Sequence, residues 1–406
     1  MPSERASLFT GRTWLSGNYA RTDGDGDADS FARVGAAGFY DNAFGLGGSI
    51  GFDGEVNWKT EINDVRGTDL LVRRLSYAVG GNRYQPHRIE GGRFLQQGMP
   101  EFGILDGLEY GFRRENGDRV GASIGFLPEP DDDFDSGEDF AVSAHYLFVA
   151  GDREELVFGG GFQKTFHNGR SDRDLFVGKV RYLPSEGWDL FATLWVDAYL
   201  DSRDQAKDGD VELTQAFVSS GRRFEDGTRL DFTYRRQTFP DILRQGEFLP
   251  LLQQEIADKY YDRVAARLTT PSGDASRLRG ELALWNDEDQ AGVAAELGAD
   301  IGQAWRDDDQ LALTGFVNVG EFSTVTGGRV GYGVLADSGR WNAFYELLWS
   351  RDEDFSSDSD DLFQHRIAGS WGYDTADGWS VSIDGGVILW DDRPNWNLGC
   401  FVQRAF

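Results

Sequence analysis

The chain has 406 residues, and its 69 acidic side chains exceed its 40 basic ones by enough to give a net charge of −29. This charge excludes binding to nucleic acid through phosphate contacts, because such binding needs a basic face. The 53 glycines, the 10 prolines and an aromatic content of 14% argue against a long disordered chain. No run of about 18 apolar residues is present, which excludes a membrane-spanning helix.

The chain lacks the residue patterns of Cys/His metal sites and of hydrolases. Cys400 is the single cysteine, so neither an internal disulfide nor a Cys/His metal site with paired cysteines can form. Ser143 and His145 fall on one predicted strand face, but two such neighbours are not a catalytic triad, and no GxSxG motif is present. We therefore expect a protein that is not an enzyme.

Alternation of apolar and polar residues predicts β-strands along the whole chain. In the run 140–148, apolar residues occupy every second position and Ser143 and His145 lie on the opposite face. The runs 188–200, 277–284 and 379–390 follow the same pattern. Many runs reach about 10–14 residues, which exceeds the usual length of about 5–6 for soluble strands. It matches the roughly 9–11 residues that a tilted strand needs to cross a bilayer.

The connections between strands alternate between two kinds. One kind is short and rich in Gly, Asp and Asn, as hairpin turns are: 115–118, 151–154, 184–187, 225–228, 272–275, 306–309, 337–340 and 375–378. The other kind is longer and mostly acidic: 22–29, 59–68, 128–139, 201–210, 240–259 and 351–361. This alternation predicts an all-β fold, a single closed antiparallel transmembrane β-barrel of about 22 strands (20–24). The barrel occupies residues 1–406 as one domain.

The last strand carries a recognisable ending. The chain closes with FVQRAF, in which Phe406 is last and the preceding apolar residues, Val402, Cys400 and Leu398, fall at alternate positions. This ending resembles the C-terminal signature that the outer-membrane assembly machinery recognises, although Arg404 stands where an apolar residue is common. In architecture the whole chain resembles Gram-negative outer-membrane barrels of the porin-like class. The resemblance implies a place in the bacterial outer membrane, contact with the lipid bilayer and lipopolysaccharide, and Phe406 as the assembly signal.

The polar faces of the strands predict a charged lumen. The predicted basic residues of this lining are Arg235, Arg263, Arg267, Arg277, Arg279, Arg181, Arg329 and Arg366. The predicted acidic residues are Asp189, Asp197, Glu281, Glu296, Glu346 and Asp384. Such a lining either selects counter-charged solutes along a path or pairs with itself and merely stiffens and hydrates the interior. The sequence leaves both interpretations open.

Two kinds of loop could add to this lining. Asp23, Asp25 and Asp27 offer hard oxygen ligands for Ca²⁺, although a solvated acidic loop has the same composition and the EF-hand glutamate is missing. No other cofactor is expected. The long connection 240–259 is a candidate constriction that folds inward, or else a loop on the rim. The stretch from Gln96 to Leu105 is a second candidate constriction.

These observations predict an outer-membrane channel that passes solutes or an exported polymer. An alternative is a barrel that encloses a separate partner, such as a lipoprotein plug, a periplasmic protein or an electron-transfer cytochrome. A second alternative is a soluble all-β binding protein. No nucleic-acid partner is expected.

Overall fold

A computed structural model describes most of the chain. The described residues are 6–22, 28–43, 45, 47–62, 65–82, 84–129, 134–199, 211–240, 259–352, 360–390 and 393–406. The side chains of 22, 60–62, 65, 66, 352, 360 and 393 are outside this description. No helix in these ranges is long and apolar enough to cross a membrane.

The described part of the chain forms 22 β-strands in one sheet. The first eleven are β1 Leu8–Thr22, β2 Ala28–Ala43, β3 Gly48–Ile62, β4 Val65–Gly80, β5 His87–Leu95, β6 Ile104–Arg113, β7 Arg119–Leu127, β8 Asp139–Ala150, β9 Leu156–His167, β10 Arg170–Tyr182 and β11 Trp188–Ala198. The others are β12 Val211–Arg223, β13 Arg229–Thr238, β14 Tyr260–Pro271, β15 Ser276–Asp287, β16 Ala291–Gly302, β17 Asp309–Val319, β18 Ser323–Ala336, β19 Gly339–Asp352, β20 Asp360–Asp374, β21 Trp379–Trp390 and β22 Arg393–Ala405.

The sheet is a closed antiparallel barrel. Consecutive strands pair with each other, and β22 pairs with β1 over a register that runs from Arg12 opposite Ala405 to Thr22 opposite Asn395. Closure leaves no sheet edge whose backbone N–H and C=O groups would lack hydrogen-bond partners inside a bilayer. The predicted fold class and the predicted strand number are confirmed.

The two ends of the barrel differ in their connections. At one end, here called the turn end, β1 begins, β22 ends and the predicted hairpin turns lie. Gly117 and Gly227 in two of these turns have φ of 95° and 83°, a conformation that glycine adopts without strain. The opposite end is called the loop end. There, much of the stretch 59–68 is strand rather than loop: β3 runs to Ile62 and β4 begins at Val65. Lys59 and Asp69 on these paired strands form an ion pair of 3.3 Å.

The outer face of the barrel is apolar. On β15, the side chains of Leu278, Leu282 and Leu284 are 47%, 56% and 58% exposed, whereas Arg279 and Glu281 lie between them on the inner face. Outward-facing tryptophans lie near both ends: Trp58 and Trp396 near the loop end are 41% and 51% exposed, and near the turn end the rings of Trp341 and Trp371 are 6.0 Å apart. A soluble protein has the reverse distribution, so the soluble all-β alternative is wrong.

Buried side chains concentrate at one side of the barrel interior. The connection 96–103 between β5 and β6 folds into the barrel and is called the folded tip. It contains a short 3-10 helix, Pro100–Phe102. Met99 and Phe102 of the tip form one buried apolar cluster with inner-face residues, and a second cluster lies on the strands themselves, formed by Phe94, Leu105, Leu127 and Ala141.

Candidate functional site

The folded tip packs its apolar side chains on the inner wall. Met99 and Phe102 are 0% and 3% exposed. They form one cluster with apolar residues of β8, β9 and β10, namely Leu147, Val149, Val157, Leu175 and Val177. Val157 is the second residue of β9, so Met99 reaches toward the turn end. Burying such side chains stabilises the docked tip by about 1.5–3 kcal/mol each.

Hydrogen bonds fix the backbone of the tip. The side-chain oxygen of Gln96 accepts hydrogen bonds from the hydroxyls of Ser123 at 2.6 Å and Ser143 at 3.0 Å. Gln163 donates to the carbonyl oxygen of Phe102 at 3.0 Å. The Lys179 ammonium donates to the carbonyl oxygen of Gly98 at 3.0 Å. Leaving a buried polar group without a hydrogen-bond partner destabilises the fold by about 1–3 kcal/mol. These bonds therefore hold the tip in one position.

Glycines make room for the tip. A Cβ atom at Gly98 would lie 2.0 Å from Nε2 of His145, and one at Gly121 would lie 2.4 Å from Cε1 of the same ring. A Cβ atom at Gly161 would lie 2.8 Å from the ring of Phe102. The imidazole of His145 is therefore held between the tip and β7, and larger residues at these glycines would displace it.

The structure places the second predicted constriction, Gln96 to Leu105, inside the barrel. The first candidate, 240–259, lies outside the described residues except for its two ends. The predicted calcium ligands Asp23, Asp25 and Asp27 also lie outside the described residues. No group of three or more potential metal ligands occurs in the part that is described.

Four of the eight predicted lumen arginines form ion pairs. The strand register places the side chains of all eight on the inner face. Arg267 donates to Glu281 at 2.8 Å, and Arg263 pairs with the same carboxylate. Arg279 lies 3.2 Å from Glu296. Further along the wall, Nε of Arg329 donates to Glu346 at 2.8 Å.

The other four arginines are not paired with acids. Within the described part of the chain, no carboxylate lies within 4.0 Å of Arg181, Arg235, Arg277 or Arg366. Arg235 donates to Gln237 at 2.7 Å, and the guanidinium of Arg366 lies 5.2 Å from the ring centre of Phe344. Ion pairs within the inner wall thus account for only part of the basic lining.

The predicted acids are mostly paired. Asp189 lies 3.4 Å from Arg229. Asp197 is fully buried and binds Arg173 and the hydroxyl of Thr214. Asp384 alone among the six has no cationic partner within the described residues. The inner wall therefore presents more open positive groups than open negative groups among the predicted residues.

Sequence reasoning missed a cluster on β4, β5 and β6. Glu90 is fully buried and binds both Arg74, at 2.7 Å, and Arg88. Arg88 also donates to Glu109 at 3.0 Å. Strand alternation gives no indication of the bulge at which β4 turns both Arg73 and Arg74 toward β3 and the lumen.

The C-terminal strand places the assembly residues on the outer face. The backbone N–H of Phe406 donates to the carbonyl oxygen of Gly11 at 2.9 Å, which extends the seam between β22 and β1. Arg404, the departure from the signature, lies with its guanidinium 5.3 Å from the ring centres of both Trp379 and Phe406. Its stem covers the apolar surface while its charge stays near the turn end.

A closed barrel with an even number of antiparallel strands, an apolar outer face, a tryptophan girdle and a charged interior is the architecture of bacterial outer-membrane β-barrels. By fold and by surface this chain is a β-barrel of the outer-membrane type. No protein-family model and no curated protein sequence matches it.

Solved structures with a similar fold include the translocation pore of the P pilus usher PapC, with 9% identity, 98% of this chain and 99% of that chain covered, and a TM-score of 0.49. Acinetobacter baumannii OccAB3 has 10% identity over 98% of this chain and 99% of its own, with a TM-score of 0.47. Pseudomonas aeruginosa OpdQ has 9% identity over 99% of both chains and a TM-score of 0.46.

Proposed function

We propose that the barrel is an outer-membrane channel for solutes and that it acts by transport rather than by catalysis. The observation that carries this proposal is the inner wall, where charged side chains from β10 to β21 face a space enclosed by a closed barrel. A charged wall keeps a lumen hydrated. In this proposal the turn end faces the periplasm and the loop end faces the exterior.

The open arginines support a preference for anions. Arg181, Arg235, Arg277 and Arg366 have no carboxylate partner in the described part of the chain, whereas Asp384 is the one predicted acid without a cation. An uncompensated positive wall raises the local concentration of anions. Paired residues such as Arg263 and Glu281 contribute less, because their fields largely cancel.

The test is the reversal potential of the purified channel in a planar bilayer under a potassium chloride gradient. We expect the double substitution Arg235→Gln and Arg277→Gln to reduce the preference for chloride. The matched control is Arg153→Gln, which removes an exposed arginine from a hairpin turn outside the lumen. An unchanged reversal potential in the double variant would contradict the anion preference, and no conductance at all would contradict the channel.

A second candidate function is a barrel that surrounds a partner. The folded tip occupies only the side of the interior next to β8, β9 and β10, and a barrel of about 22 strands usually has a plugged lumen. A sheath should copurify with a stoichiometric partner from native membranes and should conduct as a very large pore once stripped of it. A self-sufficient channel should show a defined conductance and no such partner.

A further inference from the structure

A cavity of about 870 Å³ lies between the folded tip and the turn-end parts of β2, β3 and β4. Arg74, Arg88 and Asp41 contribute charged groups to its lining, and Asn82, Tyr84 and Gln97 contribute neutral polar ones. The cavity volume is within the range of about 300–1,000 Å³ in which small-molecule sites fall. Solute that enters from the turn end meets this cavity beside the tip.

Two arginines and two glutamates form ion pairs beside the cavity. Glu90 and Glu109 have side-chain exposures of 0% and 5%, whereas the side chains of Arg74 and Arg88, which bind them, have exposures of 27% and 14%. The two carboxylates are therefore buried more deeply than the two arginine side chains. Nη1 of Arg74 and Nε of Arg88 donate to no group in the described part of the chain, so these two nitrogens remain as donors for a ligand.

Arg74 is held in place before any ligand binds. Its Nε donates to the hydroxyl of Ser76 at 3.2 Å, and its guanidinium lies 4.9 Å from the ring centre of Phe39. A Cβ atom at Gly51 would lie 2.5 Å from Nε of Arg74, so this glycine makes room for the side chain. A guanidinium fixed in this way loses little freedom on binding, which favours affinity.

We propose that this cavity binds a small hydroxylated carboxylate, the chemistry of an acidic sugar. A carboxylate can accept charge-assisted hydrogen bonds from Nη1 of Arg74 and Nε of Arg88. Hydroxyl groups match the side-chain amides of Asn82 and Gln97, and the Tyr84 ring, which is 90% exposed, offers a face for the carbon skeleton. The inference rests on the channel proposal, because the ligand reaches the cavity through the lumen.

The test is calorimetric titration of the purified, detergent-solubilised protein with D-glucuronate, using D-glucose and acetate as comparison solutes. We expect saturable binding of glucuronate that exceeds binding of either comparison solute. Arg74→Gln should weaken glucuronate binding by about tenfold or more, the loss expected when a charge-assisted hydrogen bond is removed. Tyr84→Ala, on an exposed side chain that does not support folding, should weaken it as well.

The control is Arg153→Gln, which removes an exposed arginine from a hairpin turn outside the lumen and should leave glucuronate binding unchanged. Equal binding of glucose and glucuronate, no saturable binding, or the same loss in Arg153→Gln as in Arg74→Gln would each overturn the proposal. Conductance in the absence of glucuronate tests the channel separately. A barrel that conducts ions but does not bind glucuronate would overturn the cavity site alone.

Discussion

Lys179 on β10 lies 3.3 Å from the carboxylate of Glu101 on the folded tip, a contact between residues far apart in sequence. Both side chains are 17% exposed, so the pair is shielded from solvent. The same ammonium donates to the carbonyl oxygen of Gly98. This lysine thus joins the tip to the wall at two points.

Substitution of Lys179 by methionine should loosen the folded tip. The change removes a charge-assisted contact worth about 1.5–3 kcal/mol but keeps the apolar stem, so the packing of Met99 and Phe102 remains. Single-channel recordings should therefore show more frequent transitions to a higher conductance. Arg277→Gln, a lumen substitution away from the tip, serves as the control. Recordings of Lys179→Met that match the wild type would show that the apolar contacts hold the tip without this pair.

Substitution of Gly98 by alanine should prevent the tip from docking. The added Cβ would lie 2.0 Å from Nε2 of His145, and that ring has little room to move because Gly121 lies on its other side. We expect the single variant to have a higher mean conductance than the wild type. The double variant Gly98→Ala and His145→Ala should restore the lower conductance, because the smaller side chain leaves space for the new methyl group. Failure of this restoration would contradict the docking geometry.

Asp118 should stabilise the barrel in a pH-dependent way. Hydrogen bonds from the Tyr146 hydroxyl at 2.6 Å and the Val149 backbone N–H at 3.0 Å lower the pKa of Asp118 below its ordinary value. A lowered folded-state pKa means that the stabilisation is complete above the unfolded pKa of about 3.9. It is lost as the pH falls from that value through the lowered folded-state pKa.

Asp118→Asn should therefore lower the urea midpoint of unfolding at pH 7, and the difference from the wild type should shrink as the pH falls below about 4. The matched control is Glu115→Gln in the same hairpin turn, where the side chain is exposed. It should leave the midpoint unchanged at both pH values. A deficit in Asp118→Asn that persists at low pH would show that the effect comes from packing rather than ionisation.

Phe406 and Arg404 should differ in how much they contribute to assembly of the barrel. Deletion of Phe406 removes the backbone bond to Gly11 and the aromatic end of the signature, and we expect much less folded barrel in the outer membrane. Arg404→Ala removes only cation–π contacts, each worth about 0.5–1 kcal/mol at exposed sites, and we expect nearly normal assembly. Heat-modifiable migration on gels of membrane fractions measures both. Equal defects in the two variants would contradict this ranking.

The sequence determined the strands and their two faces. Alternation has a period of two, so each residue's side of the sheet follows from its immediate neighbours, as with Leu278 outside and Arg279 inside. The turn residues marked the hairpins and so gave the strand number. These are local properties, which is why they could be read without a structure.

The tertiary structure decided which of these residues meet. Arg263 and Arg235 face the same lumen from neighbouring strands, but only Arg263 has a carboxylate partner, because that depends on register across β14 and β15. The bulge at Arg73 and Arg74 and the inward fold of the tip likewise depend on contacts between distant segments. Packing in three dimensions therefore set the shape and the charge of the lumen, whereas sequence periodicity set the wall that surrounds it.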